Sequence, residues 1–301
     1  MPRPADRRGR ITGFVAALVA VAIWAGWIPM TRLAVTVRLL PADVAALRFA
    51  ISGLLLLPAL ALNWREIPWR RPLVLAALVI GAGVPYLLLF GTGLLIANSG
   101  QAAVFGPGLV SSLVALFAML FLGERLGRMR LLGLGITLLG VAVVVGHDLL
   151  NGHARLAGYA MIIAASVHWA AFTIASRVLG LRPLVNAAIV AVANGILYVP
   201  IYLASGGGER LAALPATDLL VQGVYQGVVT AIVALIAFAI AVERLGAATA
   251  ASMTPLAPVL VAIFGWFLLG DRVDVATAVG LAAVGAGVLI ANRQVARATA
   301  T

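Results

Sequence analysis

Ten apolar stretches of about twenty residues, joined by short links that hold nearly all the charge, run through this sequence and leave little that could face water. A helix of that length crosses the hydrocarbon layer of a bilayer, and inside it only helices or closed barrels satisfy every backbone polar group. Breaking the apolar runs at charges and Gly/Pro clusters predicts spans over 11–31, 42–62, 72–95, 98–122 and 129–147, then 156–179, 184–204, 218–242, 246–269 and 274–292. The predicted fold class is an all-α integral membrane protein of ten transmembrane helices. A soluble domain is excluded, because 63% of the 301 residues are hydrophobic, 10% are charged and mean hydropathy is +1.11. The stretch from Met1 to Arg10 is basic and has no small-residue cleavage site behind it, so a retained first helix is expected instead of a signal peptide.

The net charge of +11 would suggest nucleic acid in a soluble chain, but here the arginines fall in links between spans, where they act on topology. Five of the 21 basic residues, Arg32, Arg38, Arg155, Arg210 and Arg272, fall in one set of alternate links, fifteen fall in the other set, and Arg48 lies within a span. Cytoplasmic loops carry the excess of arginine, so both termini are expected in the cytoplasm of a multi-pass protein of the cell inner membrane. The partners implied are a small-molecule substrate and the lipid bilayer, without nucleic acid and with a homodimer left open. The absence of cysteine removes disulfides and thiolate metal sites, and no cofactor, metal site or catalytic residue is expected.

The halves repeat. A slide of 147 residues places Leu122-Gly123-Glu124-Arg125 on Leu269-Gly270-Asp271-Arg272, Gly133 on Gly280 and Gly140 on Gly287; a slide of 145 places Trp24 on Trp169 and Arg32 on Arg177. Two repeats follow, 11–147 and 156–292. Each holds five spans, an odd number, so the second copy is expected upside down relative to the first. Exchange of conformations between two inverted halves is how many secondary transporters open one central site to alternate sides.

Several segments resemble the EamA family of the drug/metabolite transporter (DMT) superfamily: Ala22-Ile23-Trp24-Ala25-Gly26, Pro41 to Ala50 and Leu120 to Leu126 in the first half, then Tyr225-Gln226-Gly227-Val228, Leu245-Gly246-Ala247-Ala248, Thr254-Pro255-Leu256-Ala257-Pro258 and Leu269-Gly270-Asp271-Arg272 in the second. The resemblance implies a ten-helix inverted-repeat carrier of amino acids, metabolites or drugs, not an enzyme, with a cavity lined by the first, third and fourth helices of each half. The four-helix pumps of that superfamily use a glutamate in their first helix for proton exchange. The segment from Val15 to Thr31 holds no carboxylate.

Polar and aromatic groups within spans are the candidate substrate-binding residues, since burying them unpaired is costly. Asn98, Gln101 and Phe105 share one face of the fourth span by spacing, and Gln222, Gln226 and Thr230 share one on the eighth beside Tyr225. Amides offer donors and acceptors without charge, which suits a neutral or zwitterionic solute such as an amino acid or an amphipathic drug. Trp24, Trp27, Tyr86, Phe90, Trp169 and Phe172 would supply apolar walls, Ser252 a further polar contact, and His168 is the one span histidine near neutral pKa. Pro107 and Pro255 fall in equivalent helices of the two halves and are expected hinges. Arg48 either snorkels to the outer headgroups or pairs with a carboxylate of the substrate. All ten carboxylates lie at termini, span ends or links, an arrangement that fits facilitated transport or exchange better than a strong ion-coupled pump. Export by alternating access is the function these features suggest; the alternative is a non-transporting scaffold or receptor subunit.

Overall fold

The computed structural model describes residues 7–152, 155–246, 249–250 and 253–298. Among them the chain is helical throughout, without strands. The helices are α1 (Arg7–Val37), α2 (Pro41–Leu62), α3 (Pro72–Leu94), α4 (Ser99–Leu122), α5 (Arg128–Leu150), α6 (Leu156–Leu179), α7 (Pro183–Ala212), α8 (Ala216–Leu245), α9 (Thr254–Leu269) and α10 (Val275–Ala298). The first eight are long and apolar enough to cross a membrane, while α9 and the apolar part of α10 are shorter. Punctuation is local: Pro41 and Pro183 open α2 and α7, where a missing N–H costs nothing. Gly123, Gly180 and Gly270, at φ of 69°, 63° and 65°, close α4, α6 and α9 in the left-handed conformation that only glycine adopts freely.

Four helices are interrupted. In α3 the helix stops at Gly81 and resumes at Val84, with Gly83 extended. In α4 Gly106 leaves helical geometry (φ −87°, ψ −108°) just before Pro107, whose ring cannot accept a helical predecessor. In α7 the break falls at Ser205 and Gly206, and the chain continues as a short helix, Gly208–Ala212. In α8 the turn widens to a π-helix over Tyr225–Val233. Pro255 lies in a 3-10 turn, Thr254–Leu256, that opens α9.

Packing is regular across the halves. Helix α5 lies along α10 and α2 along α7; α1 packs against α8 and α9, and α6 against α3 and α4. Each of these contacts recurs five helices on. The α5–α10 seam is made by glycines: a Cβ on Gly133 would run into the Gly287 carbonyl oxygen, and one on Gly140 would come within 3.0 Å of the Gly280 carbonyl. Lipid supplies no hydrophobic drive between helices, so such close backbone approach holds them together. Gly135 and Gly285, on the same two helices, have nothing within 4 Å of an added Cβ and lie off the seam.

Ion pairs gather at the two ends of the bundle. At one end Arg32 meets Asp271 (2.6 Å), Arg38 meets Asp218 (3.0 Å) and Arg210 meets Asp43 (2.9 Å). At the other end Glu124 takes Arg177 (2.5 Å) and Arg130 (3.3 Å), and Arg182 takes Glu66 (2.5 Å). Helix α4 joins the two ends: the Ser99 N–H at its start donates to Asp271 (2.9 Å), and Glu124 follows its last turn. At 1.5 Å rise per residue these points are about 35 Å apart.

Candidate functional site

The middle stretches of α1, α3 and α6 bring a set of rings together. Trp27 stacks on Tyr86 (5.7 Å, 18°) and tilts against Phe90 (5.0 Å), Tyr86 meets Trp169 (5.1 Å), and Trp169 meets Phe172 (5.2 Å). Tyr86 and Phe90 stand on the second half of α3, which the break at Gly83 turns inward. Asn194 of α7 holds that break, accepting from the Val84 N–H (2.9 Å) and donating to the Val79 carbonyl (3.1 Å). The Gly83-Val84-Pro85 run was the sequence signal for this break, hidden inside an otherwise unbroken apolar stretch.

Arg48 of α2 points into the same set, with its guanidinium carbon 6.0 Å from the Trp27 ring centroid and within electrostatic reach of Tyr86. No hydrogen bond or ion pair engages the guanidinium among the described residues. An unpaired arginine within a span is costly, up to about 2.5–3.5 kcal/mol at a helix centre, and a cation–π contact returns about 0.5–2 kcal/mol. The ring contact therefore offsets only part of the burial.

Beside the rings, a chain of hydrogen bonds ties α8 to α1. The Trp27 indole N–H donates to Gln226 Oε1 (2.8 Å), Gln226 Nε2 donates to Thr31 Oγ1 (3.0 Å) and Gln222 Oε1 (3.3 Å), and Gln222 Nε2 donates to the Met30 carbonyl (3.1 Å). The Tyr225 hydroxyl donates to the Ile23 carbonyl (2.9 Å), and Thr230 donates to the Tyr225 carbonyl (2.7 Å), which the wide π turn leaves open to it.

Gln101 belongs to a second cluster. Asn98 and Gln101 form a reciprocal capping box at the start of α4: the Asn98 side chain accepts from the Gln101 N–H (2.8 Å), and Gln101 Oε1 accepts from the Asn98 N–H (3.1 Å). Their spacing of three is thus a helix start, a signal present in the sequence but read as a binding stripe. Gln101 Nε2 also lies 3.5 Å from Asp148, which accepts from the Tyr159 hydroxyl, with His147 at 3.5 Å and Arg155 at 3.7 Å. Phe105 stacks on Tyr159 (4.2 Å). Asp148 is 1% exposed and Asp43 is 0% exposed, so two of the span-end carboxylates are buried where they stand, each satisfied by a tyrosine and an arginine.

The structure therefore brings Tyr86, Phe90 and Trp169 together, sets Gln226, Tyr225 and Thr230 beside them, and gathers Asn98, Gln101 and Phe105 in a separate cluster. Trp24 packs on Phe238 (5.2 Å), and His168 Nδ1 contacts the Ala164 carbonyl (2.9 Å) one turn back. Ser252 lies outside the described residues. No group of three histidine, aspartate or glutamate side chains suited to a metal occurs among the described residues.

The sequence profile of the EamA-like transporter family matches residues 11–146 and matches again over 156–293. The chain belongs to the EamA-like transporter family. Its relatives in that family include YedA of Escherichia coli (strain K12), described as an uncharacterized inner membrane transporter, 27% identical over 78% of this chain and 76% of its own length. Another, from Streptantibioticus cattleyicolor, is named a "Probable terminal-alkyne amino-acid exporter" and is 26% identical over 75% of each chain. An uncharacterized transporter of Archaeoglobus fulgidus is 25% identical over 93% of this chain and 99% of its own. A solved crystal structure aligns with 99% of this EamA chain and 100% of its own at a TM-score of 0.60 and 21% identity, a likeness of fold alone. With its apolar helices and these relatives, this EamA protein is a multi-pass inner-membrane transporter.

Proposed function

We propose that this EamA protein is a secondary carrier that moves a small neutral or zwitterionic metabolite out of the cell by alternating access. Its two five-helix repeats are inverted relative to each other, and its termini are cytoplasmic. One observation carries this proposal: the ion pairs Arg32–Asp271 and Arg177–Glu124 join equivalent residues of the two repeats, yet sit at opposite ends of α4. Each ties the end of the first helix of one repeat to the end of the fourth helix of the other. A carrier that opens alternately needs one such closure at each end, built alike and released in turn. The outward direction draws on the Streptantibioticus relative, whose name describes an amino-acid exporter.

The test uses single cysteines, since the chain has none of its own. Cysteines at Gly123 and Gly270 should react with an impermeant maleimide from opposite faces of intact cells, Gly270 from outside. Proteoliposomes loaded in turn with amino acids, amines, nucleosides and sugars should release at least one class. Labelling of both positions from one face rules out the inverted repeats, and retention of every class returns the protein to a scaffold or receptor role.

A further inference from the structure

We propose that Arg48 is the anchor for a carboxylate on the transported solute, so that the substrates of this carrier are small monocarboxylates with an apolar portion. The inference rests on the carrier function above and names its substrate class. It begins with a charge that the fold leaves unmatched. The carboxylates at the bundle ends are taken by other arginines: Asp271 by Arg32, Asp43 by Arg210, Glu124 by Arg177, Glu66 by Arg182. Arg48 stands eight residues into α2 with no such partner among the described residues. Buried ionised groups are normally paired, and a cation kept in the membrane interior marks the path of an anion.

The surroundings say where that anion would sit. Arg48 and Tyr86 are both half-buried, and Arg48 lies over the Trp27 ring that stacks on Tyr86. The planar guanidinium presents a fork that takes a carboxylate through two parallel hydrogen bonds. The faces of Tyr86, Trp169 and Phe172 lie beyond it, partly exposed, as a wall for the apolar remainder of the solute. Among the described residues Arg48 is the charge placed against these rings, so a dicarboxylate would leave one group unmatched.

Arg48 has no charged counterpart in the second repeat, since α7, the counterpart of α2, carries no charged residue between Pro183 and Tyr202.

The test compares leucine and phenylalanine with leucinamide, phenylalaninamide and phenethylamine, using purified full-length protein by thermal shift and proteoliposomes by efflux. The acids should raise the melting temperature and leave the vesicles, while the amides and the amine should do neither. In Arg48→Gln the acids should bind at least tenfold more weakly, with Arg48→Lys recovering part of the loss. The acid-to-amide comparison in the native protein stands even if a variant fails to fold. Equal binding of acids and amides by the native protein, acid binding unchanged in folded Arg48→Gln, or no binding of any acid overturns the anchor. Efflux of an amide carried equally by native protein and Arg48→Gln overturns it while leaving the carrier function intact, whereas release of no solute class at all overturns both.

Discussion

Replacing Asp271 with asparagine should loosen one end of this transporter far more than the matching change loosens the other. Asp271 accepts from Arg32 at 2.6 Å and from the Ser99 N–H at 2.9 Å, and so binds α9 to the end of α1 and the start of α4. The Arg32 and Asp271 side chains are 19% and 9% exposed, between a surface pair and a buried one. Exposed pairs are worth about 0–1 kcal/mol, and breaking buried ones costs about 3–5 kcal/mol. Asparagine keeps the volume, and Arg32 Nε keeps the Ala97 carbonyl at 3.0 Å. A loss of about 2 kcal/mol is therefore expected, a shift of about 30-fold toward the state open at that end. Ser99→Cys reports it, because Ser99 is 0% exposed beneath the pair. Its rate of reaction with an impermeant maleimide should rise by about 30-fold in the Asp271→Asn background, taking labelling to follow the open population. In the Glu124→Gln background, where the partners are 49% and 31% exposed, the effect at the opposite end should stay within about fivefold. Equal labelling of Ser99→Cys with and without Asp271→Asn would refute the closure.

Acid should weaken the Glu124 end. The Arg177 hydrogen bond, with Arg130 beside it, holds the Glu124 carboxyl below the usual glutamate range. Its stabilisation is present above the unfolded value of about 4.3 and is lost as pH falls through the lower folded value; the melting temperature should fall across that acidic window and not between pH 6 and 8, and the fall should be smaller in Glu124→Gln. Gly133→Ala and Gly287→Ala should each lower the melting temperature in detergent, by about 1–3 kcal/mol of overpacking against the facing backbone, whereas Gly135→Ala and Gly285→Ala should be neutral or mildly stabilising. Gln226→Leu and Gln101→Leu should each cost about 1–3 kcal/mol of stability by stranding Trp27 Nε1 and the Asn98 N–H, measured by urea or thermal unfolding.

That last expectation differs from what the sequence suggested, and the difference shows where reading the chain alone fell short. Gln101 and Gln226 are polar residues in spans, and from spacing alone a polar residue in a span can face a ligand or a neighbouring helix. Both are 0% exposed and hydrogen-bonded within the protein. The capping box of Asn98 and Gln101 was legible as a motif, but it was hidden by an apolar run that continues on both sides of it. Arg48 was visible as an odd charge, and only its direction was missing.

Fold class, the number of apolar runs and the repeat were determined by sequence, because hydrocarbon admits few alternatives: a twenty-residue apolar segment has to satisfy its own backbone, and arginine stays in the links. Three things were decided by tertiary structure. Gly133, Gly140, Gly280 and Gly287 were separated from Gly135 and Gly285 by which side of α5 and α10 faces the seam. Asp148 and Asp43 are buried at their span ends because Tyr159 and Tyr202 reach them from other helices. Arg48 was turned onto Trp27 by the packing of α2 against its neighbours. In each case the deciding energy lies in a contact between residues far apart in the chain, and periodicity along a single helix carries no record of what stands opposite.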